Sequence, residues 1–537
     1  MSTVKKQLIL NAFAMQAPGH LNPGLWKYPS DTSSKYHSIK HWISLARKLE
    51  MAKFHAIFFA DVLGGYDVYN GPGNLDATIP AAAQFPINDP LYSIPAMAAA
   101  TESIGFGVTA STTYENPYML ARKFSTVDHL SEGRVAWNIV TSYLDSAARN
   151  FGLDTQVEHD ERYRIANEYM EVAYKLWEGS WRDDAVSAAP KGSYANPKSV
   201  RQINHKGKHF DIPGPHVCEP SKQRTPFLFQ AGTSSAGRKF AATHAEAIFL
   251  NGHTPELVRP SVDSIRTQAK EFGRDPNSIK IVAGLLVIVG ETDQKAQENF
   301  KELASYGDRE GALALFGGWS RYDLGKYGDD EDFRFLDTTP PAVRSMVNHW
   351  AKSSPEGTKW NKKTIAEHLI IGGNGAKVIG SANTVADELE RWAEVADVDG
   401  FNLSYAAVPE TFDNIIGHLL PELRRRGLFW DDYAVPSGTL RENYLGVAGH
   451  SRLSETHPGA KFFWRAGEEV PEYAKEGTKV DRTRQMLTSV ELTSVGHRNG
   501  SYRKVPDVGL QRTCLQGTSF AIARNVYILP TSYHTFY

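Results

Sequence analysis

Short apolar runs alternate with stretches of helical spacing along most of this chain. Leu8–Ala14, His55–Asp61, Gly105–Thr112 and Arg134–Ser142 are the first four runs, each predicted to be a strand. Between them, Tyr36–Met51 repeats apolar residues at Ile39, Trp42, Ile43, Ala46 and Leu49, the period of a helix. Helices are also predicted around Ile94–Ser103, over Tyr118–Leu130 and over Asp160–Trp177, the last with an acidic first turn that suits the helix dipole. The same order returns later. Pro226–Ala231, Glu246–Gly252, Ile279–Gly290 and Gly400–Ala407 read as strands; Ser235–His244, Pro255–Phe272, Thr292–Tyr306, Thr384–Ala396 and Phe412–Arg426 read as helices. Continuous apolar strands separated by helices belong to parallel sheets covered on both faces.

Two polar stretches interrupt the alternation. Residues 178–225 are rich in Gly, Pro and Lys, and residues 307–375 are irregular apart from a helical piece at Pro341–Ser353; both are too long for ordinary connections and read as insertions. About eight strand–helix units over some 425 residues match a (β/α)8 TIM barrel with insertions. A doubly wound open sheet fits less well, because no Gly-x-Gly-x-x-Gly turn follows the first strand. The barrel is therefore expected to span residues 1–427. Residues 428–465, rich in aromatics, Gly and Pro, read as an extended C-terminal arm packed on the barrel or on a partner subunit. Residues 466–537 read as an irregular tail with no assigned chemistry.

Composition narrows the function. Of 537 residues, 59 are Lys or Arg and 61 are Asp or Glu, so no basic face for nucleic acid or membrane is expected. Two cysteines, Cys218 and Cys514, are too few for a disulfide framework. No apolar run is long enough to span a bilayer, and the N-terminus lacks a signal-peptide pattern, so a cytoplasmic enzyme is expected. No metal triad, Gly-x-Ser-x-Gly elbow or Walker loop is present; His205 and His209 lie in a Lys/Gly-rich strand or turn.

Candidate chemistry gathers where strands end, the carboxyl face on which barrels build their sites. The first strand runs into a loop with two Pro-Gly turns that carries His20 and Trp26. The second ends at Asp61, which either caps a loop or serves a site, since a buried carboxylate needs a partner. The fourth ends in Asn138, Thr141 and Ser142. His159–Tyr163 opens a helix, either as a surface cap or as an anion site with Arg162 and Tyr163 as donors. Gln230–Arg238 passes through Thr233, Ser234 and Ser235 into another helix, which is either an ordinary N-cap or a loop for a phosphorylated ligand.

Taken in order, these segments resemble the luciferase-like flavin monooxygenases. The branch is the one containing nitrilotriacetate, EDTA, dibenzothiophene-sulfone and long-chain alkane monooxygenases. The resemblance runs over roughly residues 5–465. It is carried by Pro18-Gly19-His20 with Gly24-Leu25-Trp26, Phe59-Ala60-Asp61 with Tyr66-Asp67-Val68-Tyr69, Gln84 before Asn88-Asp89-Pro90, and Thr112–Tyr118. It continues through Ala121–His129, Gly133–Ser142, His159–Tyr163, Gln230–Arg238 and Asp432–Pro436.

The resemblance implies a bacterial luciferase-like barrel that takes FMN in its reduced form from a separate NAD(P)H-dependent flavin reductase. With O2 as co-substrate, a C4a-peroxyflavin would oxygenate a small organic substrate. It implies Asp61, Thr109, Asn138 and Thr141 along the isoalloxazine or ribityl chain. His159, Tyr163, Thr233, Ser234 and Ser235 would stand at the ribityl end and phosphate, and His20 and Tyr66 at the reactive edge. A homodimer or homotetramer is expected. Leu21 follows His20 where several relatives carry a second polar residue, which leaves the polarity of the substrate open. Two other readings stay in play: a deazaflavin-dependent oxidoreductase on the same fold, and a non-catalytic flavin-binding protein.

Overall fold

The computed structural model describes residues 5–187, 192–232, 234–352 and 354–470. Thr233 and all but the first five residues of the 466–537 tail lie outside them. Nine parallel strands form the main sheet: β1 (Ile9–Met15), β2 (Ala56–Ala60), β3 (Gly105–Ser111), β4 (Val135–Val140), β5 (Phe227–Gln230), β6 (Ala247–Leu250), β7 (Lys280–Gly290), β8 (Ala376–Ser381) and β9 (Gly400–Ser404). Eight of them close a ring. β9 pairs with β1, with Ile9 opposite Gly400 and Phe13 opposite Ser404, and β7 joins β6 to β9. The fold is a (β/α)8 barrel.

β8 is the departure from the sequence reading, which places no strand there. β7 is eleven residues long, and only its first part is used by the barrel. Its outer half, Leu285–Gly290, pairs with Ala376–Ser381. The 307–375 insertion is also more ordered than predicted. After α6 (Asp293–Ser305), it holds α7 (Arg309–Ser320), α8 (Pro341–Ala351) and α9 (Lys362–Leu369). Phe316, Phe333, Trp350, Trp360, Ile365 and Leu369 are buried together there, so the insertion has an apolar core of its own. In the 178–225 insertion, His205–Lys206 pairs antiparallel with Asp211–Ile212 as a two-stranded hairpin.

Around the ring, helices cover the sheet: α1 (Ile39–Met51), α2 (Pro117–Leu130), α3 (His159–Trp177), α4 (Ser235–His244), α5 (Pro255–Glu271) and α10 (Ala382–Ala396). Their apolar stripes bury against outward-facing strand residues such as Leu10, Ile57, Val108 and Leu228. Inward-facing residues alternate with these at a period of two, and Ala56, Phe58, Ala136, Phe227, Phe229 and Phe249 fill the barrel interior.

The aromatic arm closes the amino-terminal mouth of this same barrel. Trp430 stacks on His55 with ring centroids 3.8 Å apart, and the Tyr433 hydroxyl donates to the Phe54 carbonyl at 2.8 Å. A short helix, Leu440–Leu445, then inserts Leu440 and Tyr444 among the interior phenylalanines. The Tyr444 hydroxyl donates to Asn11 Oδ1 at 2.7 Å. Gly105 makes room: a Cβ there would lie 2.3 Å from Leu440 Cδ1. Beside it, the fully buried guanidinium of Arg441 donates to both carboxylate oxygens of Glu246 at 2.7 and 2.9 Å and to the Thr225 carbonyl at 3.0 Å. Among the described residues, no helix is long and apolar enough to cross a membrane.

Candidate active site

With the amino-terminal mouth filled by the arm, the open space lies at the carboxyl ends of the strands. Two contiguous cavities of about 340 and 430 Å³ share Asp61, Thr109, Val140, Tyr143 and Ala231 as a common wall. The outer one reaches Thr141, His159, Arg162, Tyr163 and Gly232. The inner one runs to His20, Tyr66, Asn138, Phe249, Trp319 and Asn402. Eight of the predicted residues thus border one continuous space: His20, Asp61, Tyr66, Thr109, Asn138, Thr141, His159 and Tyr163. Ser234 and Ser235 stand just behind it at the start of α4 and line neither cavity.

The shared wall is built from strand-end polar groups. Thr109 Oγ1 donates to the Phe59 carbonyl at 2.8 Å and accepts from Asn138 Nδ2 at 2.8 Å. That leaves the buried Oδ1 of Asn138 without a partner, and Gln230 Oε1 and Asn402 Oδ1 share this condition. Unpaired buried acceptors are costly. These three are satisfied if a ligand brings N–H or O–H donors into the cavity. Asn402 and Ser404 also alternate with Phe401 and Leu403 in β9, a period-two signal that the sequence reading did not use.

At the outer end the structure corrects one expectation. The first turn of α3 does not offer free N–H groups to an anion, because the carboxylate of Glu158 already accepts from Asp160 N at 3.0 Å and Glu161 N at 2.8 Å. His159 is half-exposed, and its Nδ1 pairs with Asp160 at 2.7 Å. What faces the cavity is Arg162, whose guanidinium donates to the Thr141 carbonyl at 3.2 Å and keeps its Nε unpartnered. Burial raises the pKa of the Tyr163 hydroxyl, and the nearby Ser234, Arg162 and Thr141 pull it back. Ser234 accepts from Gly237 N at 3.0 Å and so caps its own helix. Gly232 and Gly237 let these pieces close up, since a Cβ on either would lie 2.7–2.8 Å from the Tyr163 hydroxyl.

The inner end holds two buried groups, His20 and Tyr66. His20 is 1% exposed and has a left-handed backbone, φ 45°. Its ring meets Phe13 edge-on with centroids 4.5 Å apart, and neither ring nitrogen has a partner. Burial drives its pKa down to about 3, so it is a neutral imidazole with one N–H to give and one lone pair to receive. The Tyr66 hydroxyl donates to Gln84 Oε1 at 2.7 Å and lies 2.9 Å from the Tyr143 hydroxyl; burial pushes its pKa up to about 12. Trp319, at the end of α7, meets Tyr66 edge-on, and Arg321 just beyond donates to the Tyr143 carbonyl at 2.5 Å. Tyr143 and Trp319 went unseen in the sequence: one lies past a strand end in a loop, the other in an insertion, and neither carries a pattern.

Asp61 differs from an ordinary carboxylate. Burial first, and then the neighbouring charges of Asp89 and Glu115, raise its pKa from 3.8 to about 8. The folded protein therefore holds a proton that the unfolded chain has lost, and stability falls as pH rises from about 4 to about 8. Asp61→Asn should remove that slope: its melting temperature should match the wild type near pH 4 and exceed it increasingly toward pH 8. Parallel melting curves across that range would reject the assignment of a raised pKa.

Comparison with known proteins agrees with this architecture. The family described as luciferase-like monooxygenase matches residues 21–398. The chain is 45% identical over 462 residues to dimethyl-sulfide monooxygenase of Hyphomicrobium sulfonivorans, a match that spans 86% of this chain and 94% of the relative. The solved structure of DmoA from Hyphomicrobium sulfonivorans superposes with a TM-score of 0.80 at 45% identity, covering 85% of this chain and 96% of that one. The structure of riboflavin lyase with modified FMN and riboflavin superposes with a TM-score of 0.76 at 33% identity, covering 85% and 100%.

Proposed function

The chain belongs to the luciferase-like monooxygenases and is a flavin-dependent monooxygenase, and on that premise we propose that it uses reduced FMN and O2 to oxygenate a small organic substrate. The observation that supports this reading is the pairing of two unlike spaces. An outer cavity bordered by Tyr163, Arg162 and Gly232 adjoins an inner one that holds an unpartnered His20 and the rings of Phe13, Phe58, Phe249 and Trp319. A ligand with a polar tail and a flat, hydrogen-bonding ring system fits that sequence of environments.

Bound reduced FMN would supply the reducing equivalents and the O2 activation, and a separate NAD(P)H-dependent flavin reductase would renew it. The chain's own residues bind, orient and exclude water. Tyr163, Ser234 and Arg162 would hold the phosphate end, with His159 and Ser235 at its rim and Thr141 along the ribityl chain. Asp61, Thr109 and Asn138 would address the ring system, with Asp61 protonated near neutral pH and able to donate. His20 and Tyr66 would hold protons next to the reacting atoms. Phe13, Phe58, Phe249 and Trp319 keep that end dry, which strengthens every hydrogen bond made there.

Anaerobic titration with reduced FMN tests the assignment. Tyr163→Phe removes a hydroxyl worth about 1–3 kcal/mol, so affinity should fall about tenfold to a hundredfold. Ser234→Ala should weaken binding similarly and also lose a helix cap worth about 1 kcal/mol, lowering the melting temperature. Wild-type affinity in both variants would remove the outer cavity from flavin binding.

A further inference from the structure

The inner cavity has one wall that the flavin reading does not use. Gly372, Asn374 and Gly375 line it, in the turn that leads into β8. Gly372 and Gly373 both have left-handed backbones, with φ 74° and 56°. A Cβ on Gly373 would lie 2.8 Å from the Trp319 ring, on the cavity side. A Cβ on Gly372 would meet Leu286 at 2.8 Å and Lys377 Cε at 3.4 Å. Lys377 pairs in register with Leu286, itself a lining residue, so the two side chains share one face of the sheet. The Lys377 ammonium, donating to the Gly373 carbonyl at 3.1 Å, therefore lies behind the Gly372–Gly375 turn, in which only Asn374 carries a side chain.

That ammonium has no ion-pair partner among the described residues. The titratable groups facing it are His253 and His368, both driven toward neutrality, by burial first and the lysine's own charge second. His253 accepts from Trp350 Nε1 at 2.8 Å, and His368 Nε2 is buried without a partner. The Asn374 amide nitrogen donates to the Met346 sulfur at 3.2 Å, a weak acceptor that leaves the donor underused, while the same side chain also faces His253 and its Oδ1 has no partner in hydrogen-bonding geometry. Lys377 is part-buried, and a cation drawn away from water is ordinarily paired. Here burial lowers the Lys377 pKa to about 8, which still leaves it largely charged near neutral pH. Two donors, one of them a full charge, thus stand beside a cavity whose lining includes the apolar Phe13, Leu21, Phe249, Leu286 and Trp319 as well as the polar residues already described.

We propose that Lys377 and Asn374 form an oxyanion subsite in the wall of the inner cavity. The substrate is then a small amphiphile, with an apolar body among the aromatic residues and a carboxylate or sulfonate end against the Gly372–Gly375 turn. This rests on reading the inner cavity as the place of the substrate, and it names the class of substrate which that cavity selects.

The test uses the full chain, anaerobic and saturated with reduced FMN so that the phosphate end is filled. Hexane-1-sulfonate and hexan-1-ol, matched in apolar length, are titrated by calorimetry. The wild type should bind the sulfonate about tenfold or more tighter than the alcohol. Lys377→Met should lose that preference and leave hexanol binding unchanged, while Lys377→Arg should keep it. Lys377→Met should melt no lower than the wild type, because the ammonium has no ion pair to lose; a purely structural lysine would show the reverse. Sulfonate affinity unchanged in Lys377→Met, or equal affinities for the two probes in the wild type, overturns the subsite. Should Lys377→Met fail to fold, Asn374→Ala carries the test, with a severalfold loss for the sulfonate alone expected and no loss overturning it. A wild type that binds no reduced FMN defeats the functional reading instead, and that titration is read first.

Discussion

His20→Ala should bind reduced FMN as tightly as the wild type and yet form product about a hundredfold more slowly or worse. The imidazole is neutral, its nitrogens are unpartnered, and it lies at the inner end of the cavity, away from the Tyr163 and Gly232 end. Its loss removes a donor from the reacting end and leaves the proposed flavin anchors untouched. The oxidising equivalents then leave as hydrogen peroxide, so flavin oxidation should continue while the ratio of peroxide to product climbs. Because the pKa is near 3, the wild-type rate should show no break from this group between pH 5 and 8. An unchanged peroxide-to-product ratio in His20→Ala, with any named substrate, would take His20 out of the chemistry.

Arg441→Ala should destabilise the protein by about 3–5 kcal/mol, the cost of stranding a buried carboxylate. Glu246 gives both its oxygens to Arg441, and the arginine also ties the strand-preceding carbonyl of Thr225 to the Ser451 carbonyl in the arm. Removing the guanidinium leaves Glu246 charged in a space closed by Phe227 and Tyr444. The double variant Arg441→Met with Glu246→Gln should recover much of the loss, because no charge is then left unpaired. Urea unfolding measures both. A single variant within about 1 kcal/mol of wild type would mean that water reaches the amino-terminal mouth and the arm is not its seal. A chain ending at Gly427 should fare worse than either, since Leu440 and Tyr444 leave the barrel core along with Arg441.

The barrel was legible in the sequence because its strands are continuous apolar runs and its helices keep one apolar stripe; Ser235–His244 is bounded identically in both readings. β8 was not, since Ala376–Ser381 carries a lysine and a glycine in six residues and finds its pairing only on the overhang of β7. In the 307–375 insertion the helical piece Pro341–Ser353 returns as α8, but α7 was missed for a related reason: it contains Gly317 and Gly318, and a Cβ on Gly318 would lie 1.9 Å from the Tyr66 ring, so packing, not propensity, dictates it. In the site, Asp61, Asn138 and Thr141 announced themselves as polar ends of buried runs. The Glu158 cap of α3 stood one residue before the segment chosen from the sequence. Tyr143, Trp319 and Lys377 reach the cavity only through tertiary contacts.

Closing the ring between β1 and β9 has a consequence for how the protein comes into being. Ile9 waits for Gly400, 391 positions later in the chain. At 5–20 residues per second, a ribosome needs about 20–80 s to deliver that partner. Throughout this time the first strand presents a bare edge of backbone donors and acceptors, and the seal from Leu440 and Tyr444 arrives later still. Such edges pair readily with other chains. Nascent chains on crowded polysomes are therefore the form of this protein most exposed to aggregation, and its yield in a cell should respond to chaperone supply and translation speed more than to the stability of the finished barrel.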